Sequence, residues 1–221
     1  MQIALLGGTG DIGEGLALRI ARDTDHAVRI GSRKAEKAES AAEEYRTELD
    51  ERGVDATVTG HENPTAAAPA DLVVAAVPAY YLSDTVEAVA DELDDSVLVS
   101  PAVGMQRDED GLHYNPPGLG SVTALAVKAA PDDVPVVGAF HNLAAAKLAD
   151  LDADLDWDVP VVADDDDAKT AVVELTEELE TLRPLDAGPL ANASEVESLT
   201  PLLINLAANN ERMHDLGVKF V

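Results

Sequence analysis

Short apolar segments of strand length alternate with longer amphipathic segments through most of the chain. In sequence order the apolar segments are QIALLG, AVRIGS, ATVTG, DLVVAAVP, SVLVSP and VPVVGAF. Most are continuously apolar, which is typical of strands covered on both faces of a parallel sheet. Helices are predicted between them, over about residues 11–22, 34–51 and 80–93. The alternation predicts an α/β fold with a Rossmann-type doubly wound parallel sheet.

The spacing of these segments changes in the last third of the chain. Two further predicted strands, DVPVVA and LRPLDAG, flank a helix, and a last helix is expected over about residues 194–209. Pro201 should kink that last helix or mark its first turn, and the leucines of the helix should form core or a subunit interface. We therefore predict one domain over residues 1–148 and a smaller C-terminal α/β domain over residues 149–221.

Two polar segments each allow two interpretations. The run from Gly104 to Ser121 is too long and too rich in glycine and proline for a minimal connection, so we expect a mobile flap over a site or an inert surface loop. The acidic run from Asp164 to Asp167 suggests a metal site. It is better explained as an N-cap and favourable dipole contacts at the start of a helix.

A glycine-rich turn follows the first strand directly. Gly8, Gly10 and Gly13 have the spacing G-x-G-x-x-G, and the segment after them has the apolar periodicity of a helix. Strand, turn and helix in this order predict a dinucleotide-binding fingerprint. Glycines at these positions let backbone N–H groups and a helix N-terminus approach a pyrophosphate closely.

The end of the second predicted strand carries basic residues. An acidic residue here, about twenty positions after the turn, would bind the 2′-hydroxyl of NAD. The chain instead has Ser32 and Arg33, with Lys37 one turn into the next helix. A hydroxyl, a guanidinium and an ammonium group can bind a 2′-phosphate, which favours NADP(H) over NAD. The alternative is that Arg33 and Lys37 only balance Glu36 and Glu39.

The charge of the chain excludes several classes of partner. Asp and Glu number 43 against 15 Lys and Arg, which gives a formal net charge of −28. Such a surface repels nucleic acid and anionic membranes, so we expect neither as a partner. Acid-rich, lysine-poor surfaces resemble those of halophilic proteins, in which salt screens the self-repulsion. An unusually acidic mesophilic protein is the alternative.

The absence of cysteine and of targeting signals narrows the chemistry and the location. Without cysteine the chain has no disulfide, thiol nucleophile or cysteine-bound metal centre. No apolar run is long enough to span a bilayer, and the N-terminus enters a strand pattern without a signal-peptide region. We expect a cytoplasmic protein.

Several enzyme classes use a nucleotide-binding domain of this type. None of the four tyrosines is followed four residues later by a lysine, so the acid pair of short-chain dehydrogenases is missing. Hydroxyacid dehydrogenases of the 6-phosphogluconate type need a long helical domain, for which this chain is too short. Pyrroline-5-carboxylate reductases have an all-helical second domain, whereas strands are predicted here.

Blocks along nearly the whole chain resemble the NADPH-dependent F-420 reductase family, also called reduced coenzyme F-420:NADP oxidoreductase. The blocks are ALLGGTGDIGEGLALRIA, IGSRKAEKAE, AAVPAYY, LVSPAVG, DWDVPVVADDDD, LRPLDAGPLANASEVESLTPLLINLA and LGVKF. The last two are the most specific. The chain departs from the family pattern at PAYY and AVGMQ, where a bulky aromatic residue and a proline are more usual.

The resemblance implies an oxidoreductase that transfers a hydride reversibly between NADP(H) and the deazaflavin coenzyme F-420 (F420 below). Both cofactors would stack in a cleft that the C-terminal domain closes. Direct transfer between two rings needs orientation and exclusion of water rather than a nucleophile or a metal. We therefore name no catalytic residue and no metal, and we expect a homodimer or a higher homo-oligomer.

The resemblance also assigns residues to each cofactor. Thr9, Gly10, Asp11 and Ile12, between Gly8 and Gly13, would bind the pyrophosphate, and Ser32, Arg33 and Lys37 the 2′-phosphate. The ribose and the nicotinamide would be bordered by Val77, Ala79, Ser83, Val103 and Ala145. The candidates for the deazaflavin are His141, Asn142 and Leu216.

His141 follows the strand VPVVGAF and is expected near the mouth of the cleft. There it could hydrogen-bond a ring carbonyl of either cofactor, and the alternative is a histidine with a purely structural role. Two other functions stay open at this point. One is an NADP-dependent reductase of a small imine or ketone, and the other is a non-catalytic NADP sensor.

Overall fold

Ten strands and nine α-helices follow one another in a computed structural model that describes residues 1–221. The strands are β1 (Gln2–Leu6), β2 (Ala27–Ser32), β3 (Val58–Glu62), β4 (Leu72–Ala75), β5 (Val97–Ser100), β6 (Met105–Asp108), β7 (Gly111–Tyr114), β8 (Val136–Gly138), β9 (Trp157–Ala163) and β10 (Leu182–Asp186). The helices are α1 (Asp11–Asp23), α2 (Ala35–Glu51), α3 (Asn63–Ala67), α4 (Leu82–Glu87), α5 (Val122–Ala129), α6 (Ala145–Ala149), α7 (Asp166–Glu178), α8 (Ala193–Glu197) and α9 (Leu199–Ala208).

Eight of the strands form one sheet in the order β10-β9-β8-β5-β4-β1-β2-β3. All neighbouring pairs are parallel except β8 and β9. The chain leaves β1 in one direction through β2 and returns to its other side through β4. The carboxyl ends of β1 and β4 therefore meet at a switch point, where doubly wound sheets bind ligands. The prediction of a Rossmann-type doubly wound sheet is confirmed.

Helices cover both faces of the sheet and enclose an apolar core on each. Along β1, Ile3 and Leu5 enter the larger core, while Ala4 and Leu6 enter the smaller one. Successive side chains of a strand point to opposite faces, so a strand between two cores must be apolar at every position. This explains the continuous apolar segments of the sequence.

The C-terminal segment adds its two strands to the same sheet. Strand β9 pairs with β8 and β10 pairs with β9, and the larger core contains residues from both sides of position 148. The first and last parts of the chain thus share one sheet and one core. The division into domains 1–148 and 149–221 stays a prediction.

The segment between Gly104 and Ser121 contains a β-hairpin, which the sequence did not predict. Strands β6 and β7 pair antiparallel and form a separate two-stranded sheet. The Asn205 amide of α9 holds this hairpin by donating to the Leu112 carbonyl at 2.6 Å and accepting from the Leu112 N–H at 3.0 Å. The sequences MQRD and GLHY lack the apolar alternation of a half-buried strand, so the pattern gave no strand signal.

The predicted last helix is divided at Ser198 into α8 and α9. Pro201 lies in the first turn of α9, which is one of the two predicted positions for it. Leu202 and Leu206 are 54% and 41% exposed, so the core alternative was wrong for these two leucines, and the subunit-interface alternative stays a prediction. The physical reason is that α9 packs on the hairpin instead of lying between the sheet and a second layer.

The remaining predictions on helices concern the helix after β4, the acidic run at the start of α7 and a membrane span. The predicted helix over 80–93 is shorter than expected, because α4 is flanked by 3₁₀ turns at Ala79–Tyr81 and Ala90–Glu92. The Asp165 carboxylate accepts a hydrogen bond from the Ala168 N–H at 2.8 Å, which confirms the N-cap interpretation of the acidic run. None of the helices combines the length and the apolar character needed to cross a membrane.

Candidate functional site

The turn between β1 and α1 presents backbone donors that the protein itself does not use. Gly7 has a φ of 75°, a left-handed conformation that favours glycine, and it redirects the chain into the helix. No hydrogen bond within the chain uses the N–H groups of Thr9, Asp11, Ile12 or Gly13. They lie at the positive end of a 13-residue helix, where an anion is favoured.

The backbone of the turn is packed too closely for side chains at two of its glycines. A Cβ on Gly13 would lie 2.6 Å from the Gly8 Cα, and a Cβ on Gly8 would lie 2.8 Å from the Leu5 carbonyl oxygen. The Tyr45 hydroxyl donates to the Gly8 carbonyl at 2.9 Å, and burial raises the pKa of this tyrosine. The turn is a rigid cradle of main-chain atoms, which suits a pyrophosphate.

The three residues predicted for a 2′-phosphate lie at the end of β2 and the start of α2. Ser32 is buried, whereas Arg33 and Lys37 are exposed. Neither cation forms an ion pair with Glu36, Glu39 or any other carboxylate. Both are therefore free to receive an anionic ligand.

An aromatic pair that sequence reasoning missed lies beside Arg33. The guanidinium carbon of Arg33 is 5.3 Å from the ring centroid of Tyr81, within the range of a cation–π contact. The centroids of Tyr80 and Tyr81 are 4.3 Å apart, and both rings are exposed. This surface at the edge of the sheet can pack against a flat ring. The departure from the family pattern at PAYY was the only sequence signal for it.

The loops after the neighbouring strands β4 and β5 reach the same edge of the sheet. These loops, with the 3₁₀ turn and the start of α4 that follow β4, carry four half-buried residues predicted to border the ribose and the nicotinamide, namely Val77, Ala79, Ser83 and Val103. A Cβ on Gly7 would lie 2.6 Å from the Val77 Cγ1, so this loop directly contacts the glycine turn. The Ser100 hydroxyl, at the end of β5, is buried and has no hydrogen-bond partner.

A mostly apolar cavity of about 330 Å³ lies between the start of α6, helix α9 and the C-terminal tail. Its lining residues are Asn142, Leu143, Ala144, Ala145, Thr200, Leu203, Ile204, Ala207, Asp215 and Leu216. Three of the predicted cofactor residues, Asn142, Ala145 and Leu216, meet here from distant parts of the sequence. The contribution of α9 was missed, because its leucines were assigned to core or to an interface.

His141 and Asn142 each carry a buried polar atom without a partner, and Asn142 lines the cavity. His141 is only 3% exposed, so its side chain is buried, and its expected place near the mouth of the cleft stays a prediction. Its ring packs on Gly138, where a Cβ would lie 3.1 Å from the His141 Cε1. The His141 Nδ1 and the Asn142 Oδ1 have no partner in the chain. Burial lowers the pKa of His141 to about 3, so the imidazole is neutral.

The C-terminal tail, which carries Leu216, is attached to β9 at Asp158, whose carboxylate is buried. The Asp158 carboxylate accepts from two Arg183 nitrogens at 2.8 Å each and from the Phe220 N–H at 2.6 Å. The hydrogen bond from Arg183 is the main cause that lowers the pKa of Asp158. The Trp157 ring leaves no room for a side chain at Gly217. These contacts fix Leu216 in the cavity wall.

The glycine turn and the cavity are connected through the packing of α6 on α1. A Cβ on Gly15 would lie 2.9 Å from the Leu148 Cβ, so the two helices are in close contact. The buried Arg19 donates to the carbonyl oxygens of Leu148 at 2.9 Å and Asp150 at 2.7 Å. Helix α1 begins at the turn and α6 begins at Ala145 in the cavity wall.

Known proteins of one kind are similar to this chain along its length. Residues 2–104 match the family model described as NADP oxidoreductase coenzyme F420-dependent. The F420-dependent NADP reductase of Methanocaldococcus jannaschii is 39% identical over 93% of this chain and 92% of its own. That of Methanothermobacter thermautotrophicus is 37% identical over 99% of this chain and 94% of its own.

A solved structure agrees with these sequence relatives. It comes from an Arthrobacter species, is provisionally assigned as an F420-dependent NADP reductase, and has 25% sequence identity and a TM-score of 0.81. The alignment covers 100% of this chain and 99% of that one. Sequence relatives at 37–39% identity over nearly the whole chain are sufficient to assign the family. This protein belongs to the family of F420-dependent NADP reductases.

Proposed function

We propose that this protein is an NADPH-dependent F420 reductase, an oxidoreductase that transfers a hydride between NADP(H) and coenzyme F420. The observation that carries the proposal is the connection of two unlike sites through α1 and α6. One is a turn with four unused N–H donors, and the other is an apolar cavity with unpartnered polar atoms beside it. Membership of the family supports the same reaction.

The nucleotide would be held mainly by main-chain atoms. The free N–H groups of Thr9, Asp11, Ile12 and Gly13 would bind the pyrophosphate, and Ser32, Arg33 and Lys37 would bind the 2′-phosphate. Backbone dipoles matter in a protein with a net charge of −28, because they attract an anion without a charged side chain. The half-buried residues Val77, Ala79, Ser83 and Val103, together with Ala145, would border the ribose and the nicotinamide.

The cavity would receive the deazaflavin ring. Leu203, Ile204 and Leu216 supply apolar walls that exclude water, while Asn142 offers an unpartnered amide oxygen. When both cofactors are bound, NADPH supplies a hydride from the nicotinamide C4 to the deazaflavin C5. The side chains orient the rings and keep water away, and this role requires no nucleophile.

A spectrophotometric assay tests the proposal directly. Purified protein in high-salt buffer is mixed with NADPH and oxidised F420, and the absorbance of the deazaflavin is followed. We expect loss of that absorbance with turnover. Its absence in buffer with sufficient salt would contradict the proposal. Turnover of a pyrroline carboxylate instead would favour the imine reductase, and tight NADPH binding without any turnover would favour the sensor.

We also propose the setting in which this reaction occurs. The large negative charge argues against nucleic acid or an anionic membrane as a partner, which leaves the two cofactors as ligands. We place the protein in the cytoplasm as a homodimer or a higher homo-oligomer. The salt-adapted origin of its surface stays a prediction.

A further inference from the structure

A fully buried carboxylate lies three residues before Thr200 of the cavity wall. Glu197, the last residue of α8, is 0% exposed. Its Oε1 accepts from the N–H and the hydroxyl of Thr123, each at 2.9 Å. Its Oε2 accepts from the Val122 N–H at 2.9 Å and the Tyr114 hydroxyl at 2.8 Å. Four donors, two of them at the N-terminus of α5, offset the cost of burying this charge.

The Thr123 hydroxyl has one proton and two polar neighbours. Its Oγ1 lies 2.9 Å from the Glu197 Oε1 and 3.4 Å from the His141 Nε2. A carboxylate can only accept, and the charge-assisted bond is the shorter one, so the hydroxyl proton points to Glu197. The oxygen then offers only a lone pair to His141. The proton of this contact must therefore be on Nε2.

The direction of the hydrogen bond from the His141 Nε2–H to the Thr123 hydroxyl oxygen determines which ring nitrogen is protonated. Because the buried ring is neutral, a proton on Nε2 means that Nδ1 carries none. Nδ1 is then a hydrogen-bond acceptor, and no group of the chain donates to it. The backbone of the same residue is fixed to the cavity wall, since the Thr200 hydroxyl donates to the His141 carbonyl at 2.6 Å.

We propose that Glu197 is a positioning residue that acts through the Thr123 hydroxyl on His141. It fixes the Nε2–H tautomer and leaves Nδ1 as the acceptor for an N–H donor of a bound cofactor. A ring carbonyl, the partner expected from the sequence, is itself an acceptor and does not suit this tautomer. The cofactor groups that can donate a hydrogen bond to Nδ1 are the carboxamide of the nicotinamide and the imide N–H of the deazaflavin. The identity of the ligand rests on the proposed function, whereas the tautomer does not.

The test must separate this role from a structural one. Glu197 also joins the hairpin, α5 and α8, so a loss of stability on its replacement would not by itself support the proposal. Thr123→Val removes only the hydroxyl and keeps the N–H bond to Glu197. Thr123→Ser restores a hydroxyl. Glu195→Gln changes an exposed carboxylate of the same helix and is the matched control.

The first measurement uses the ligand-free protein. Nitrogen-15 NMR of histidine-labelled protein reports the protonation of both ring nitrogens, and His141→Gln identifies the signals of His141. We expect Nε2 protonated and Nδ1 bare in the wild type, Thr123→Ser and Glu195→Gln. In Thr123→Val and Glu197→Gln the ratio of the two tautomers should fall by about tenfold, because a hydrogen bond that selects one of them is lost. A protonated Nδ1 in the wild type would overturn the proposal. The same ratio of tautomers in the wild type and in all variants would also overturn it.

The second measurement adds NADP or F420 separately to the wild type. A shift of the Nδ1 resonance with NADP alone identifies the carboxamide as the donor, and a shift with F420 alone identifies the deazaflavin. Binding of both cofactors without any shift would overturn the acceptor role of Nδ1. Absence of turnover in the wild type would contradict the proposed function and leave the tautomer result of the ligand-free protein unaffected.

Discussion

The glycine turn and the cavity are built by different means. The turn presents main-chain N–H groups from one short stretch, and close contacts between backbone atoms determine its shape. The cavity is lined mostly by apolar side chains from three segments, 142–145, 200–207 and 215–216, that the fold brings together. The first site tolerates almost no added atom but needs no particular side chain at most positions. The second depends on side-chain volume and on the placement of helix ends.

The turn should show the largest response to a single methyl group. Gly13→Ala places a Cβ 2.6 Å from the Gly8 Cα, and the turn must open to accommodate it. We expect NADPH to bind about 100-fold more weakly in a fluorescence titration. Gly118→Ala, where a Cβ meets nothing within 4 Å, is the control and should bind NADPH normally. Unchanged NADPH binding by Gly13→Ala would remove the turn from the nucleotide site.

The basic residues after β2 should affect only the phosphorylated nucleotide. Arg33→Asp removes a charge-assisted bond to the 2′-phosphate and adds repulsion, so NADPH should bind about 30-fold more weakly while NADH changes little. Arg107→Asp makes the same charge change on the exposed strand β6 and serves as the control. Equal weakening of NADPH and NADH by Arg33→Asp would argue against the 2′-phosphate assignment.

A loss of cavity volume should weaken the binding of F420 and leave the binding of NADPH unchanged. Ala207→Phe fills space between α9 and the tail, and we expect the KM for F420 to rise about tenfold with an unchanged Kd for NADPH. The neighbouring Ala208 is exposed and does not line the cavity, so Ala208→Phe is the matched control. A comparable loss of NADPH affinity in Ala207→Phe would show that the two sites are not separable in this way.

Acid should reveal the buried imidazole of His141 through the stability of the fold. The unfolded His141 binds a proton below a pH of about 6.5, whereas burial holds the folded pKa at about 3. Between these values the unfolded chain binds more protons, so stability falls as the pH falls, by up to about 1.4 kcal/mol per pH unit. Denaturant unfolding from pH 7 to pH 4 should show a steeper loss in the wild type than in His141→Gln. Identical slopes would contradict the buried neutral imidazole.

The sequence predicted the turn far better than the cavity. The turn is defined by glycine spacing within one strand–turn–helix unit, so its residues are neighbours in sequence as well as in space. The same local logic predicted an N-cap in the acidic run 164–167, and the structure identifies Asp165 as the capping residue. Residues 142, 200 and 216 are adjacent only after β9, β10 and α9 have taken their places, and no local period encodes that approach.

The remaining failures have specific physical causes. The hairpin β6–β7 is held by side-chain amide and hydroxyl groups, Asn205 and Tyr114, and not by an apolar face that would show as a strand pattern. The Glu197 network was invisible because a glutamate among surface acids gives no sign that it is buried. Tyr81 was missed because its contact with Arg33 joins two loops at the sheet edge.

The hydrogen bonds of Arg19 limit the exchange of segments between this protein and its relatives. Helix α6 has only five residues, too few to be stable alone, and its last carbonyl groups are bonded by a guanidinium that belongs to α1. The part of the cavity wall at the start of α6 therefore depends on a residue of α1 that does not itself line the cavity. The segments that carry α1 and α6 are not exchangeable modules. A nucleotide-binding unit grafted from a distant relative would have to bring an arginine at this position, or the entrance to the cavity would lose its shape.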